Sequence, residues 1–229
     1  LADKLGIPMV DEHYYQTPGW FLNNQDFYDK YDRSKKTKVY LGEYATHIPG
    51  RKANIETALT EALYLAALER NGDVVHMPSY APLLAKEGHT QWNPDLIYFN
   101  NREVKPTTGY YVQKLYGQNA GNEYFPSQIT LDNRDDQVRK RVASSIVRDS
   151  ASGDVIVKLV NLLPVEVNTN VDLSGIGAIQ SSAKRTVLTG KPADTPLPIE
   201  DTMEVAEKFD YQLPAYSFTV IRIKKANEK

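Results

Sequence analysis

Three side chains are placed to do chemistry together: Glu43, His13 and Tyr15. Glu43 lies in KVYLGEYATH, Lys38 to His47, where Val39, Tyr40 and Leu41 run into Gly-Glu-Tyr and then into the loop Thr46-His47-Ile48-Pro49-Gly50. That is a strand breaking into a loop at a carboxylate. An amphipathic helix and a second short apolar strand follow. They place Glu43 at the C-terminal end of a parallel strand, on the face where βα loops build the active sites of barrel enzymes. The stretch IPMVDEHYY, Ile7 to Tyr15, reads as another strand, and alternation puts His13 and Tyr15 on one face with Asp11 beside them, Glu12 and Tyr14 on the other. If the His13 face points into a barrel mouth, an imidazole and a phenol converge near a carboxylate. Hydrogen bonds from such groups favour its charged form and hold its orientation. The plain alternative is a surface Glu at a strand end, with His13 and Tyr15 satisfied by neighbouring backbone.

The elements that must position these residues follow in order. Leu1 to Leu5 reads as the last turn of a helix that Gly6 stops. Gln16 to Lys36 is a long polar-aromatic loop whose Trp20, Phe21, Phe27, Tyr28 and Tyr31 recur at helix-like spacing. Asn54 to Arg70 is the clearest helix, with Ile55, Ala58, Leu59, Ala62, Leu63 and Ala66 as the stripe that covers a sheet. Asp73 to Met77 is the next buried strand. A long loop carrying Trp92 and the apolar run Leu96 to Phe99 follows, then a helix from Pro106 through Tyr116 that Gly117 stops. Beyond Gly121 the pattern changes to strands and turns: Gln128 to Leu131, Val142 to Val147, Val155 to Leu163, Glu166 to Asn170, Arg185 to Leu188 and Tyr216 to Ile223. Asp149 to Gly153 is a hairpin turn and Gly190 to Pro198 a surface loop. In the last strand Phe218 and Val220 are out of phase with Ile221 and Ile223, which a bulge or two-sided burial would explain.

The expected fold is therefore α/β plus all-β. Residues 1–117 read as the C-terminal part of a (β/α)8 barrel and residues 118–229 as an antiparallel β-sandwich. A closed barrel takes about 250 residues, so the first part has room for only about three βα units. The sequence that completes it is expected ahead of Leu1.

Composition excludes several classes. The chain has 229 residues, 41% hydrophobic and 24% charged, with a net charge of -2, which suits ordinary soluble domains and argues against a nucleic-acid groove. No stretch approaches the roughly 20 apolar residues of a membrane span. The absence of cysteine excludes disulfides and thiolate metal sites but leaves the compartment open, with a secreted or periplasmic one favoured. His76 and His89 lack regular ligand spacing, so no metal is expected.

DEHYY at Asp11 to Tyr15, YLGEYA at Tyr40 to Ala45, the stretch ALTEALYLAALERNGDVVHMPSYAPLLA and the ending LPAYSFTVIRIK together resemble the C-terminal half of glycoside hydrolase family 51, the α-L-arabinofuranosidases. The resemblance covers nearly the whole chain. It implies a barrel followed by a β-sandwich, retaining hydrolysis of terminal α-L-arabinofuranosyl groups from arabinose-containing plant polysaccharides or oligosaccharides, and no cofactor. By position it makes Glu43 the nucleophile on the seventh barrel strand and His13 and Tyr15 the His-x-Tyr pair of the sixth. It places the acid/base Glu, preceded by Asn, upstream of Leu1. Asn122-Glu123 mimics that dipeptide but lies after the final barrel helix, on the wrong element. Many bacterial members carry Trp where this chain has His47, so Trp92 is the alternative source of apolar contact with the sugar.

A retaining glycosidase needs one carboxylate to attack the anomeric carbon and a second, about 5 to 5.5 Å away, to protonate the leaving oxygen. This chain holds the first of the pair, so on its own it is expected to be inactive and to self-associate through the exposed inner face of its partial barrel. A carbohydrate-binding or purely structural β-sandwich is the competing reading. It leaves Glu43 unexplained, and both tryptophans fall outside the sandwich.

Overall fold

The computed structural model describes residues 1–226. A 3-10 turn, Asp3–Leu5, ends on Gly6 in the left-handed region (φ 68°) and leads into strand β1, Met9–Gln16. Helix α1 (Pro18–Asn23) and a 3-10 turn (Tyr28–Lys30) precede β2, Lys38–Thr46, and helix α2 (Ile55–Arg70) leads to β3, Val75–Tyr80. These three strands form a parallel sheet in the order β1-β2-β3. The sheet is open, and the described residues form no closed barrel. A small sheet of β4 (Leu84–Lys86), β5 (Ile97–Phe99) and β6 (Val104–Pro106) leads to helix α3, Thr108–Gln118. Gly117 lies inside this helix rather than ending it. The C-cap is Asn119, whose N–H reaches back to the Leu115 and Tyr116 carbonyls.

The rest is antiparallel. Strands β7 (Glu123–Phe125), β8 (Val142–Arg148), β9 (Val155–Asn161), β11 (Ile179–Thr189), β12 (Ile199–Glu204) and β14 (Ser217–Lys225) form one sheet in the order β12-β11-β14-β9-β8-β7. A short helix α4, Asp136–Arg139, leads into β8. Strands β10 (Val167–Asp172) and β13 (Lys208–Leu213) pair as a second sheet. The two pack face to face through Val155, Val157, Ile221 and Ile223 on one side and Val171, Tyr211 and Leu213 on the other. The strand expected at Gln128 to Leu131 is extended chain without ladder partners, and the edge strand is instead β7. Strands β12 and β13 were not legible, because DTMEVAEKFDYQ mixes charges into a half-exposed alternation.

Two-sided burial, not a bulge, explains the phase of β14. Its pairing with β9 is continuous from Ser217 to Ile223. Phe218 and Val220 face the helices, while Ile221 and Ile223 face the second sheet. On the face toward the helices Lys158 of β9 is fully buried and meets Glu69 of α2 at 2.6 Å.

Helix α2 is the pivot of the fold. Asn54 caps it in a capping box with Thr57. Its Ile55 and Glu56 N–H groups donate to the Asp194 and Pro192 carbonyls, so the loop read as a surface connection also caps the helix. Residues on nearly every side of α2 are buried, not only the expected stripe. The reason is that the parallel sheet packs on one side and the six-stranded sheet on the other, in one continuous apolar core. No helix among the described residues is long and apolar enough to cross a membrane.

Candidate active site

The site begins with a break in strand alternation. In β2, Val39 and Leu41 are fully buried toward the helices, and strict alternation would send Glu43 the same way. Between Leu41, opposite Glu12, and Glu43, opposite His13, the register shifts by one residue and leaves Gly42 as the extra residue of a bulge. Beyond it Tyr44 takes over the buried phase, and Glu43 turns to the open face shared with His13 and Tyr15.

Asp11 holds the bulge. Its Oδ1 accepts the Gly42 N–H at 3.1 Å and its Oδ2 meets His13 Nε2 at 2.9 Å. A Cβ on Gly42 would stand 2.2 Å from Asp11 Oδ1, so this position requires glycine for space. With Nε2–H given to Asp11, neutral His13 presents a lone pair at Nδ1, 3.6 Å from Glu43 Oε2. Only the imidazolium donates to both carboxylates.

Tyr15 Oη donates to Glu43 Oε2 at 2.6 Å, a short bond to a charged acceptor. Burial, then this hydrogen bond and the Glu43 charge, raise the phenol well above its ordinary range, so Tyr15 stays a donor. The Glu43 side chain remains 40% exposed, and its Oε1 accepts no hydrogen bond from the described residues. One oxygen is held and the other is open to an electrophile.

The Tyr15 ring stacks on His47 at 5.4 Å between centroids and meets Trp92 at 5.8 Å. Trp92 is 48% exposed, leaving an apolar surface beside the carboxylate. The Arg51 guanidinium contacts the His47 ring. Burial first, and the Arg51 charge second, lower the His47 pKa from 6.5, so the ring is neutral near pH 7.

Five residues singled out in the sequence, His13, Tyr15, Glu43, His47 and Trp92, thus surround one open strand end. Others lie elsewhere. Trp20 stacks on Tyr14, and Phe21 and Tyr28 are buried, so the loop aromatics pin α1 to the back of the sheet. Glu123 is on edge strand β7, ion-paired with Arg148. His76 and His89 are exposed, and no group of three or more potential ligands could hold a metal among the described residues. Asp11 was legible only as a neighbour on the His13 face. The signal for its role was Gly42, a glycine inside a strand immediately before the carboxylate.

Residues 28–217 match the family described as the alpha-L-arabinofuranosidase C-terminal domain. An extracellular exo-alpha-L-arabinofuranosidase of Streptomyces chartreusis is 51% identical over 130 residues, covering 57% of this chain and 15% of that protein. A probable alpha-L-arabinofuranosidase A of Aspergillus terreus is 34% identical over 224 residues, covering 93% of this chain and 33% of that protein. Among solved structures, an arabinose-bound MgGH51 α-L-arabinofuranosidase aligns with a TM-score of 0.85 at 30% identity, over 96% of this chain and 37% of that one. The Thermotoga maritima α-L-arabinofuranosidase in its arabinose complex shares the fold, with a TM-score of 0.70 at 14% identity over 97% of this chain and 54% of that one. The chain spans at most about a third of the length of these two curated relatives. The chain belongs to the α-L-arabinofuranosidase C-terminal domain family, and in sequence and fold it corresponds to the C-terminal part of a glycoside hydrolase family 51 α-L-arabinofuranosidase.

Proposed function

We propose that Glu43 is the nucleophile of a retaining α-L-arabinofuranosidase, and that this chain supplies the nucleophile half of the site. The observation that carries the reading is the 2.6 Å bond from Tyr15 to a half-exposed Glu43 at the end of a parallel strand. Residues 1–117 are read as the C-terminal part of the catalytic barrel and residues 118–229 as a sandwich domain that braces α2. The substrates are terminal α-L-arabinofuranosyl groups on arabinose-containing plant polysaccharides or oligosaccharides.

In the first step Glu43 Oε1 attacks the anomeric carbon as the bond to the leaving oxygen breaks, and a second carboxylic acid gives that oxygen its proton. In the second step the same carboxylate takes a proton from water, whose oxygen attacks the anomeric carbon and releases Glu43. Tyr15 holds Oε2, so the attacking oxygen keeps one direction. His13, fixed by Asp11, keeps a ring nitrogen beside the same oxygen. Trp92 and His47 wall the sugar site. The acid belongs to the part of the relatives' length that this chain does not span. Asp11, the other carboxylate beside Glu43 on this face, is engaged by Gly42 and His13. The 229-residue chain alone is therefore read as inactive and as self-associating through its open sheet.

The test is Glu43→Gln in the whole protein that carries this segment. Turnover of an aryl α-L-arabinofuranoside falls by several orders of magnitude with the melting temperature kept. Near-normal turnover would remove Glu43 from the nucleophile's role.

A further inference from the structure

We infer that Glu61, a residue that does not reach the open face, is a positioning residue for Glu43 and holds the end of the nucleophile strand by its backbone. This deepens the proposed function and rests on Glu43 being the nucleophile. Glu61 lies on α2 and is 2% exposed. Its Oε1 accepts the Thr46 N–H at 3.0 Å, three residues past Glu43 on the same strand. Parallel pairing with β1 and β3 fixes the middle of β2 but leaves its last residues few partners on the β3 side, where the register ends at Tyr44 opposite Tyr80. The carboxyl supplies the missing acceptor.

The surroundings are built for one group. Glu61 Oε2 has no hydrogen-bond partner and faces the first turn of α3, where a Cβ on Gly109 would stand 3.3 Å away. Thr46 Oγ1, Thr108 Oγ1 and Gln113 Nε2 are buried without partners as well. β2 and α3 therefore turn polar groups, those of Thr46 and Gln113, toward the one carboxyl of α2. Purely apolar packing would leave none of them there, since each buried orphan costs stability. What the arrangement secures is the path of the backbone at Thr46.

The charge state of Glu61 decides whether the hold persists. The titratable groups facing it are the phenols of Tyr44 on β2 and Tyr80 on β3, both kept neutral by burial, with Asp95 beyond Tyr80. On α3 it meets Gly109 and Gln113, and no cation pairs with it among the described residues. Burial pushes the carboxyl from 4.5 up to about 8, and the Thr46 N–H and Gln113 offset this only in part. Above that pH a lone buried charge makes the cluster open, and the end of β2 loosens.

The experiment compares Glu61→Gln and Glu61→Leu in the whole protein, by aryl arabinofuranoside kinetics from pH 5 to 9 and by hydrogen exchange at the Thr46 amide. Glu61→Gln keeps an acceptor without a charge. Its kcat stays near the unmodified value at pH 6, and its fall toward pH 9 is shallower than the parent's, because the catalytic acid still titrates but the Glu61 carboxyl no longer does. Glu61→Leu removes the acceptor, so Thr46 loses exchange protection and kcat falls about 10- to 100-fold with KM little changed. Unchanged kcat in Glu61→Leu overturns the inference, as does a Glu61→Gln profile that falls as steeply as the parent's. If Glu61→Leu does not fold, the Glu61→Gln profile decides alone. Failure of the underlying reading is distinguishable: full activity of Glu43→Gln removes the nucleophile assignment, while Thr46 exchange still reports whether Glu61 holds the strand.

Discussion

Asp11 Oδ1 accepts the backbone N–H of Gly42 at 3.1 Å, and this bond stabilises the bulge that turns Glu43 from the buried face of its strand to the open one. A one-residue change of phase moves a side chain across a sheet. Here it moves a carboxylate from the apolar core to the side of His13 and Tyr15.

The bulge makes Gly42→Ala a sharp test. The added Cβ falls 2.2 Å from Asp11 Oδ1, so Asp11 must swing away and release both Gly42 and His13. Turnover is expected to drop at least about tenfold and stability by about 1 to 3 kcal/mol. Adding Asp11→Ala relieves the clash and recovers part of the stability but not the turnover. Recovery of both would show that Asp11 does not position the site.

Tyr15→Phe removes the O–H donor and keeps the ring against His47 and Trp92. A hydrogen bond to a charged group is worth about 1.5 to 3 kcal/mol, so kcat/KM should fall about 10- to 100-fold with folding retained. Steady-state kinetics of the two proteins checks this.

Stability should depend on pH through Glu61. The folded state keeps a proton up to about pH 8 that the unfolded chain releases near 4.5. Its contribution is therefore full below about 4.5 and is lost as pH rises toward about 8. Denaturant unfolding across that range should show a falling stability for the parent protein relative to Glu61→Gln. Parallel curves would contradict a buried neutral carboxyl.

The Lys158–Glu69 pair joins α2 to the six-stranded sheet, with Ser145 donating to the same carboxylate. Glu69→Ala leaves a fully buried ammonium unpaired and should cost about 3 to 5 kcal/mol. The double variant Glu69→Leu with Lys158→Met should lie close to the parent in urea unfolding. A large loss there would mean the pair does more than satisfy itself.

Much of this was legible in the sequence, for reasons that can be named. The 3.6 period gave α2 nearly to the residue, and alternation put His13 and Tyr15 together. The bulge was not legible from alternation, because period two counts residues and cannot see one that drops out of the ladder. Only Gly42 hinted at it. The burial of α2 on nearly every side was hidden as well, since Thr57 is used in the cap, Thr60 donates to the Glu56 carbonyl one turn back, and one oxygen of Glu61 accepts from β2. Strands β12 and β13 carry too many charges to read as strands. The long Gly190 to Pro198 loop gave no sign that its carbonyls cap a helix.

The measurement closest to the central claim is azide rescue of Glu43→Ala in the whole protein, with the product's anomeric configuration read by NMR. A small anion in the space left by the carboxylate attacks the anomeric carbon in a single displacement. The expected product is the β-L-arabinofuranosyl azide, inverted relative to the α-linked substrate, with turnover restored in proportion to azide. An α-configured azide would assign Glu43 to the acid/base role, and full activity without azide would remove it from the chemistry.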